Sequence, residues 1–220
     1  MDQRRELLGL RLPRQERDAS AIADAESGLD IFLIAKLDAT STQKRGQPLQ
    51  VLAGVTGHLV HLRQVYAVRL RALQEPSLFV LAANREAEAY RFLWLRSFHH
   101  PIAVRVDLQA DGSWVLVTKV ASGAGGYSPG TLTTNISRQL TTQEAQSFRS
   151  EVEGGGFWNA PNPVNDQTGT DGSDWIIEGV KAGRYHVIDR WSPTNGPAHD
   201  LGLFLAFNLA RLSIPKSEIY

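Results

Sequence analysis

Residues 102–120 read IAVRVDLQADGSWVLVTKV, and this stretch decides the fold class. Ile102, Val104, Val106 and Leu108 recur at every second position, so they line one side of an extended strand. Asp111-Gly112 suits a tight type I′ turn, and Val115 and Val117 alternate back behind it. Pairing about that turn sets Leu108 against Val115 and Val106 against Val117 as the buried face. Lys119 then falls opposite Val104 on the same face. It is there either as a desolvated, nucleophilic amine or as a strand-end amine reaching out to water.

Outward from this hairpin, EAEAYRFLWLRSF (86–98) reads as a strand from Tyr90, broken at His100-Pro101. SGAGGYSPG (122–130) is a loop, and TLTTNISRQL (131–140) is rich in strand formers. WIIEGV (175–180) and RYHVIDRW (184–191), joined by Lys181-Ala182-Gly183, form a second hairpin. Thr141-Thr142-Gln143-Glu144 matches a capping box ahead of a short helix whose stripe is Ala145, Phe148 and Val152, with Gly154-Gly155-Gly156 at its end. Pro197 opens a final helix with Leu201, Phe204, Leu205, Leu209 and Leu212 on one side, ended by Pro215. Upstream, Pro48 opens a helix in which Leu52, Val55, Leu59, Leu62, Tyr66, Leu70 and Leu73 keep helical spacing until Pro76.

The expected class is α+β: a mostly antiparallel sheet of about five to six strands, two C-terminal-half helices on one face, and a long amphipathic helix before them. Residues 1–46 are poorly patterned, 47–86 hold the helix and a linker, and 87–220 form the body. All five tryptophans fall between residues 94 and 191, which places the better-packed core in that body.

Composition narrows the function classes. With 42% apolar and 21% charged residues, the 220-residue chain is globular. Its 23 basic and 23 acidic side chains give no net field toward nucleic acid or an anionic membrane. Having no cysteine, it has no disulfide, thiol nucleophile or cysteine-ligated metal. The charged N-terminus lacks the apolar run of a secretory signal, and IFLIA (31–35) and LFVLAA (78–83) fall far short of the ~20 residues of a membrane span. As written, the chain is expected in the cytoplasm.

Two groups of residues are candidate sites. A second-hairpin register centred on Ala182 sets Glu178 opposite His186 and Asp174 opposite Arg190, on one face with Arg184. A carboxylate beside an imidazole forms a general base, and Arg184 or Arg190 anchors an anion, as in a small hydrolase or lyase. The same residues on a solvated face are an ion-pair ladder. The other group is Arg63, Arg69 and Arg71 on the 48–74 helix, a basic face suited to a protein partner or self-association. This helix also looks like the start of a helix-turn-helix, but no second patterned helix follows, so no nucleic acid is expected.

His99 and His100 point to opposite sides of an extended chain, and neither H-E-x-x-H nor H-x-H spacing occurs. The loop after Gly123 lacks both phosphate-loop and dinucleotide signatures. Residues 165–174 are oxygen-rich but depart from an EF-hand at Gln167 and Gly169. No metal or cofactor is expected. The leading reading is a non-catalytic binding or protein-interaction module, with the Glu178–His186 enzyme as the alternative.

RFLWLRSFHHPI (91–102), SGAGGY (122–127) and DWIIEGVKAGRYHVIDRWSP (174–193) resemble segments of uncharacterised bacterial proteins, over roughly residues 88–214. Those proteins have no assigned activity, so the resemblance implies no functional residues. Some of them look exported, and this chain carries residues 1–80 where a leader would stand.

Overall fold

The computed structural model describes residues 66–161, 169 and 171–220. A helix α1 over 66–72 and a short α2, Leu78–Leu81, precede the sheet. The strands are β1 (Glu88–Arg96), β2 (Ile102–Leu108), β3 (Trp114–Ala121), β4 (Leu132–Gln139), β5 (Ser173–Lys181) and β6 (Arg184–Trp191). Helix α3 (Thr142–Gly154) follows β4, and α4 (Pro197–Leu203) runs on into a π-helical stretch, Phe204–Leu209. All six strands form one antiparallel sheet in the order β4-β3-β2-β1-β5-β6. The class is therefore α+β.

Short turns join β1 to β2, β2 to β3 and β5 to β6, a ten-residue loop over 122–131 joins β3 to β4, and β1 receives β5 on its free side. That insertion makes β1 central, which is why its YRFLWLR run is buried on both faces. On one face Tyr90, Phe92, Trp94, Val104, Val106, Leu116, Trp175 and Ile177 pack against α3 through Phe148 and Val152, and against α4 and its extension through Leu201, Leu205 and Leu209. On the other, Leu93, Leu95, Ala103, Ala121, Ile176 and Val187 pack against Tyr66, Leu70 and Leu73 of the α1 segment. The expected helix over 48–74 is thus helical in its last turns and docked by its own apolar stripe. Residues 48–65 lie outside the described residues.

Both hairpins differ from their expected registers by one residue, and the turns explain why. Gln109 N–H donates to Ser113 O at 2.8 Å, enclosing a three-residue loop, with Gly112 at φ 81°. A third loop residue in the left-handed region closes a wider hairpin than the two-residue turn expected at Asp111-Gly112. Leu108 therefore faces Trp114 and Val106 faces Leu116, and Lys119 faces Ala103 on the α1 side. In the second hairpin Ala182 (φ 53°) and Gly183 (φ 79°) form a two-residue turn, so Lys181 pairs with Arg184. A one-residue slip moves every side chain of a strand to the opposite face. Trp114 and Leu116 are core residues as a result, while Tyr185 and Val187 turn toward α1.

The capping box forms as read. Thr141 Oγ1 accepts from Glu144 N at 3.2 Å, and Glu144 Oε2 accepts from Thr141 N at 2.9 Å. Hydrogen bonds from Arg138, then from the Thr141 amide, hold the Glu144 carboxyl down to about 2. A depressed acid stabilises the fold fully above the usual carboxylate range, and that contribution is lost as pH falls toward about 2. Thr141→Ala is expected to cost about 1 kcal/mol in urea unfolding at neutral pH. An unchanged midpoint would show that solvent caps this helix equally well.

Candidate functional site

The α1 end sets up the polar centre. Gln74 adopts φ 51°, while Gln74 N–H donates to Arg71 O and Glu75 N–H to Leu70 O at 2.9 Å, a closed left-handed helix stop followed by Pro76. This reversal points Glu75 at the middle of the sheet, where it is 2% exposed. Three cations from three strands meet its carboxylate: Arg91 at 3.2 Å, Arg105 at 3.0 Å and Lys119 at 3.0 Å. Arg91 also donates Nε to Glu178 at 2.8 Å, Nη1 to Pro76 O at 2.7 Å and Nη2 to Tyr66 Oη at 3.0 Å. Tyr185 Oη donates to the other Glu178 oxygen at 2.8 Å, Arg105 pairs with Asp107, and Lys119 donates to Gln74 O.

Three cations and three carboxylates therefore balance inside one face of the sheet. Burial raises the Glu75 carboxyl, but Arg105, Arg91 and Lys119 together outweigh it and hold the group below the usual carboxylate range. Burial, then the charge of Glu178, drives both the Tyr66 and Tyr185 phenols well above their usual value. Glu75, Arg91 and Glu178 are buried between α1 and the sheet, and Arg105 and Asp107 lie at the edge of the cluster.

The expected base pair does not form. Glu178 faces Val187, and His186 faces Gly179, so carboxylate and imidazole project from opposite faces of the sheet. Glu178 belongs to the ionic centre, whereas His186 packs edge-on against Phe157 at 5.0 Å and tilted against Trp158 at 6.1 Å. Burial, then the Arg184 charge, pushes its imidazole below the usual value. Arg184 lies over the Trp158 ring at 4.9 Å and donates to Trp158 O, and Arg190 donates to Pro161 O. Both arginines bind the 157–161 segment on the His186 side. Asp174 faces Trp191, not Arg190.

The proposed partner face is also redistributed. Arg69 is 6% exposed and donates Nε to Gly125 O at 2.9 Å and Nη2 to Tyr127 O at 2.8 Å. Arg71 is exposed, and Arg63 lies outside the described residues. The Gly-rich loop is thus a packing device: a Cβ on Gly125 would sit 2.7 Å from the Arg96 backbone. His100 ties the same loop by Nδ1 to Gly123 O at 2.8 Å, and His99 Nδ1 meets Tyr220 Oη at 2.7 Å. Lys119 is buried in its ion pair, in place of reaching out to water. Most of the oxygen-rich 165–174 stretch lies outside the described residues. Among the described residues, no helix is long and apolar enough to cross a membrane, and no group of three or more His, Asp or Glu is placed to hold a metal ion.

One cleft, about 890 Å³ in volume, opens beside the ionic centre between the 76–89 segment and the β2–β3 hairpin. Its walls include Pro76, Val80, Leu81, Ala87, Leu108 and Ala110. Arg105 and Asp107 lie at its inner end, next to Glu75. The Asp107 Oδ1 atom is buried and has no hydrogen-bond partner. The sequence concealed this site because Arg105 and Asp107 occupy alternate positions of β2, which read as a solvent face. The available signal was Arg91, a charge inside an otherwise aromatic and aliphatic run.

No protein-family model matches the chain, and neither a curated protein nor a solved structure does.

Proposed function

We propose that this protein is a non-catalytic binding module whose ligand seats in the cleft between residues 76–89 and the β2–β3 hairpin. The observation that carries this reading is the union of a cavity of about 890 Å³ with an unsatisfied buried oxygen on Asp107. That volume is within the usual range for small-ligand sites, and the lining joins aliphatic side chains to polar groups that can orient a ligand. A buried acceptor without a donor costs about 1–3 kcal/mol, which a ligand donor recovers on binding. Rigidity supports the reading too, since Arg105 is clamped between Glu75 and Asp107 and the cleft floor is preformed.

The test is an amide-resonance screen of small neutral, cationic and anionic compounds against the wild-type chain and Ala87→Trp, which fills the cleft from its wall. Compounds are expected to shift residues 76–89 and 105–112 in the wild type and to lose those shifts in Ala87→Trp, with sheet resonances unchanged. Shifts confined to other surfaces, or equal in both chains, would overturn the reading.

A further inference from the structure

The charges around the cleft are unequal. Glu86, Glu88 and Asp107 line it against a single cation, Arg105. The Arg105 charge is already balanced by two carboxylates, since Nε is given to Glu75 and Nη1 to Asp107. Glu88 accepts from Tyr90 Oη at 2.8 Å and pairs with Lys181 at 3.1 Å, and Glu86 is exposed at the mouth. The buried acceptor is Asp107 Oδ1, which lacks a donor although Oδ2 is held by Arg105.

Resting on the cleft reading above, we infer that the ligand is a small amphiphilic amine: a primary ammonium that meets Asp107 and an aliphatic body that lies along Val80, Leu81, Ala87 and Leu108. The chemistry is complementary at both ends. An ammonium supplies donors and no acceptor, which is what a carboxylate with one empty oxygen lacks. Asp107 lines the cleft beside Leu108, so a ligand seated there meets its carboxylate. Its charge also offsets the acidic lining, which an anionic ligand would meet with repulsion from Glu86, Glu88 and Asp107. Burial, with Glu75 adding to it against Arg105, holds the Asp107 carboxyl above the usual range, and a ligand cation removes that penalty. The aliphatic walls favour a short hydrocarbon over a polyhydroxylated or doubly charged body.

Hexylammonium, hexanol and hexanoate share one hydrocarbon chain and differ in head charge, so titrating each into the protein at neutral pH separates charge from shape. Hexylammonium is expected to bind about tenfold more tightly than hexanol, with hexanoate weakest, and the shifted amides are those of 76–89 and 105–112. Asp107→Asn is expected to remove most of that preference, with hexylammonium losing far more affinity than hexanol. Glu86→Gln, at an exposed position, is expected to reduce it by a factor of about two by weakening the field at the mouth. If hexanol or hexanoate binds the cleft as tightly as hexylammonium, the amine assignment is overturned and the cleft reading stands. If none of the three shifts the cleft amides, both are overturned. An ammonium preference that survives both substitutions also overturns the assignment, because another group then reads the charge.

Discussion

Arg91→Met is expected to lower the unfolding free energy by about 3–5 kcal/mol, seen as an earlier urea midpoint at unchanged slope. Among the described residues Arg91 alone of the cations touches both Glu75 and Glu178, and it also holds Tyr66 and the Pro76 carbonyl. Methionine replaces its volume but none of its donors. Glu178 then faces the Tyr185 and Tyr66 hydroxyls without its cation, and a buried carboxylate left so is far costlier than the pair was favourable. Arg91→Met combined with Glu178→Gln is expected to recover part of the loss, because the orphaned charge is gone. A loss below about 1 kcal/mol for the single variant would mean that water enters and replaces the guanidinium.

The same centre sets an acid limit. Glu75 is depressed in the fold, so its contribution is complete above the unfolded carboxylate range and disappears as pH falls through its lower folded value. Glu75→Gln is therefore expected to destabilise most at neutral pH and to converge on the wild type in acid. Urea melts of both chains from pH 7 to pH 3 check this. A constant gap across that range would contradict the sign.

Trp175→Ala is expected to cost a similar amount, about 3–5 kcal/mol, for an entirely different reason. Trp175 is 1% exposed and packs on Phe92 and Trp94 with centroids 5.0 Å away in each case, with His199 stacked on its far side at 5.8 Å. Gly202 of α4 exists to admit it, since a Cβ there would lie 2.8 Å from the indole. Removing the ring leaves a cavity that sheet and helix cannot collapse into, because α4 is already at its closest approach. Trp175→Phe separates packing from polarity. It is expected to cost about 1–2 kcal/mol, mainly through the indole N–H bonds to Ser173 Oγ and Tyr220 O, both 2.8 Å. Near-equal losses for the two variants would assign the effect to those bonds and not to the cavity.

Much of the fold was legible because it depends on local pattern. Period-two apolar residues in 102–108 marked a strand whichever turn followed it. The capping box at Thr141 and the stripe of Phe148 and Val152 gave α3 its start and its buried side. Registers were less legible, since one loop residue decides them. Asp111-Gly112 suits a two-residue turn equally well, and only the Gln109–Ser113 pairing across the sheet selects the wider loop. That single residue moved Lys119 to the α1 face. An equal shift in the second hairpin separated Glu178 from His186.

The sequence by itself determined the α+β class, the strand and helix segments of the body and the absence of cysteine chemistry, because each follows from residue type and spacing along the chain. Only the tertiary structure decided which charges meet. Glu75, Arg91, Arg105, Lys119 and Glu178 are spread over more than 100 residues, and nothing local distinguishes a charge bound for solvent from one bound for a buried pair. Their meeting depends on β5 adding beside β1 and on α1 closing over the sheet. The cleft arises in the same way, from the distance that packing leaves between the 76–89 segment and the β2–β3 hairpin.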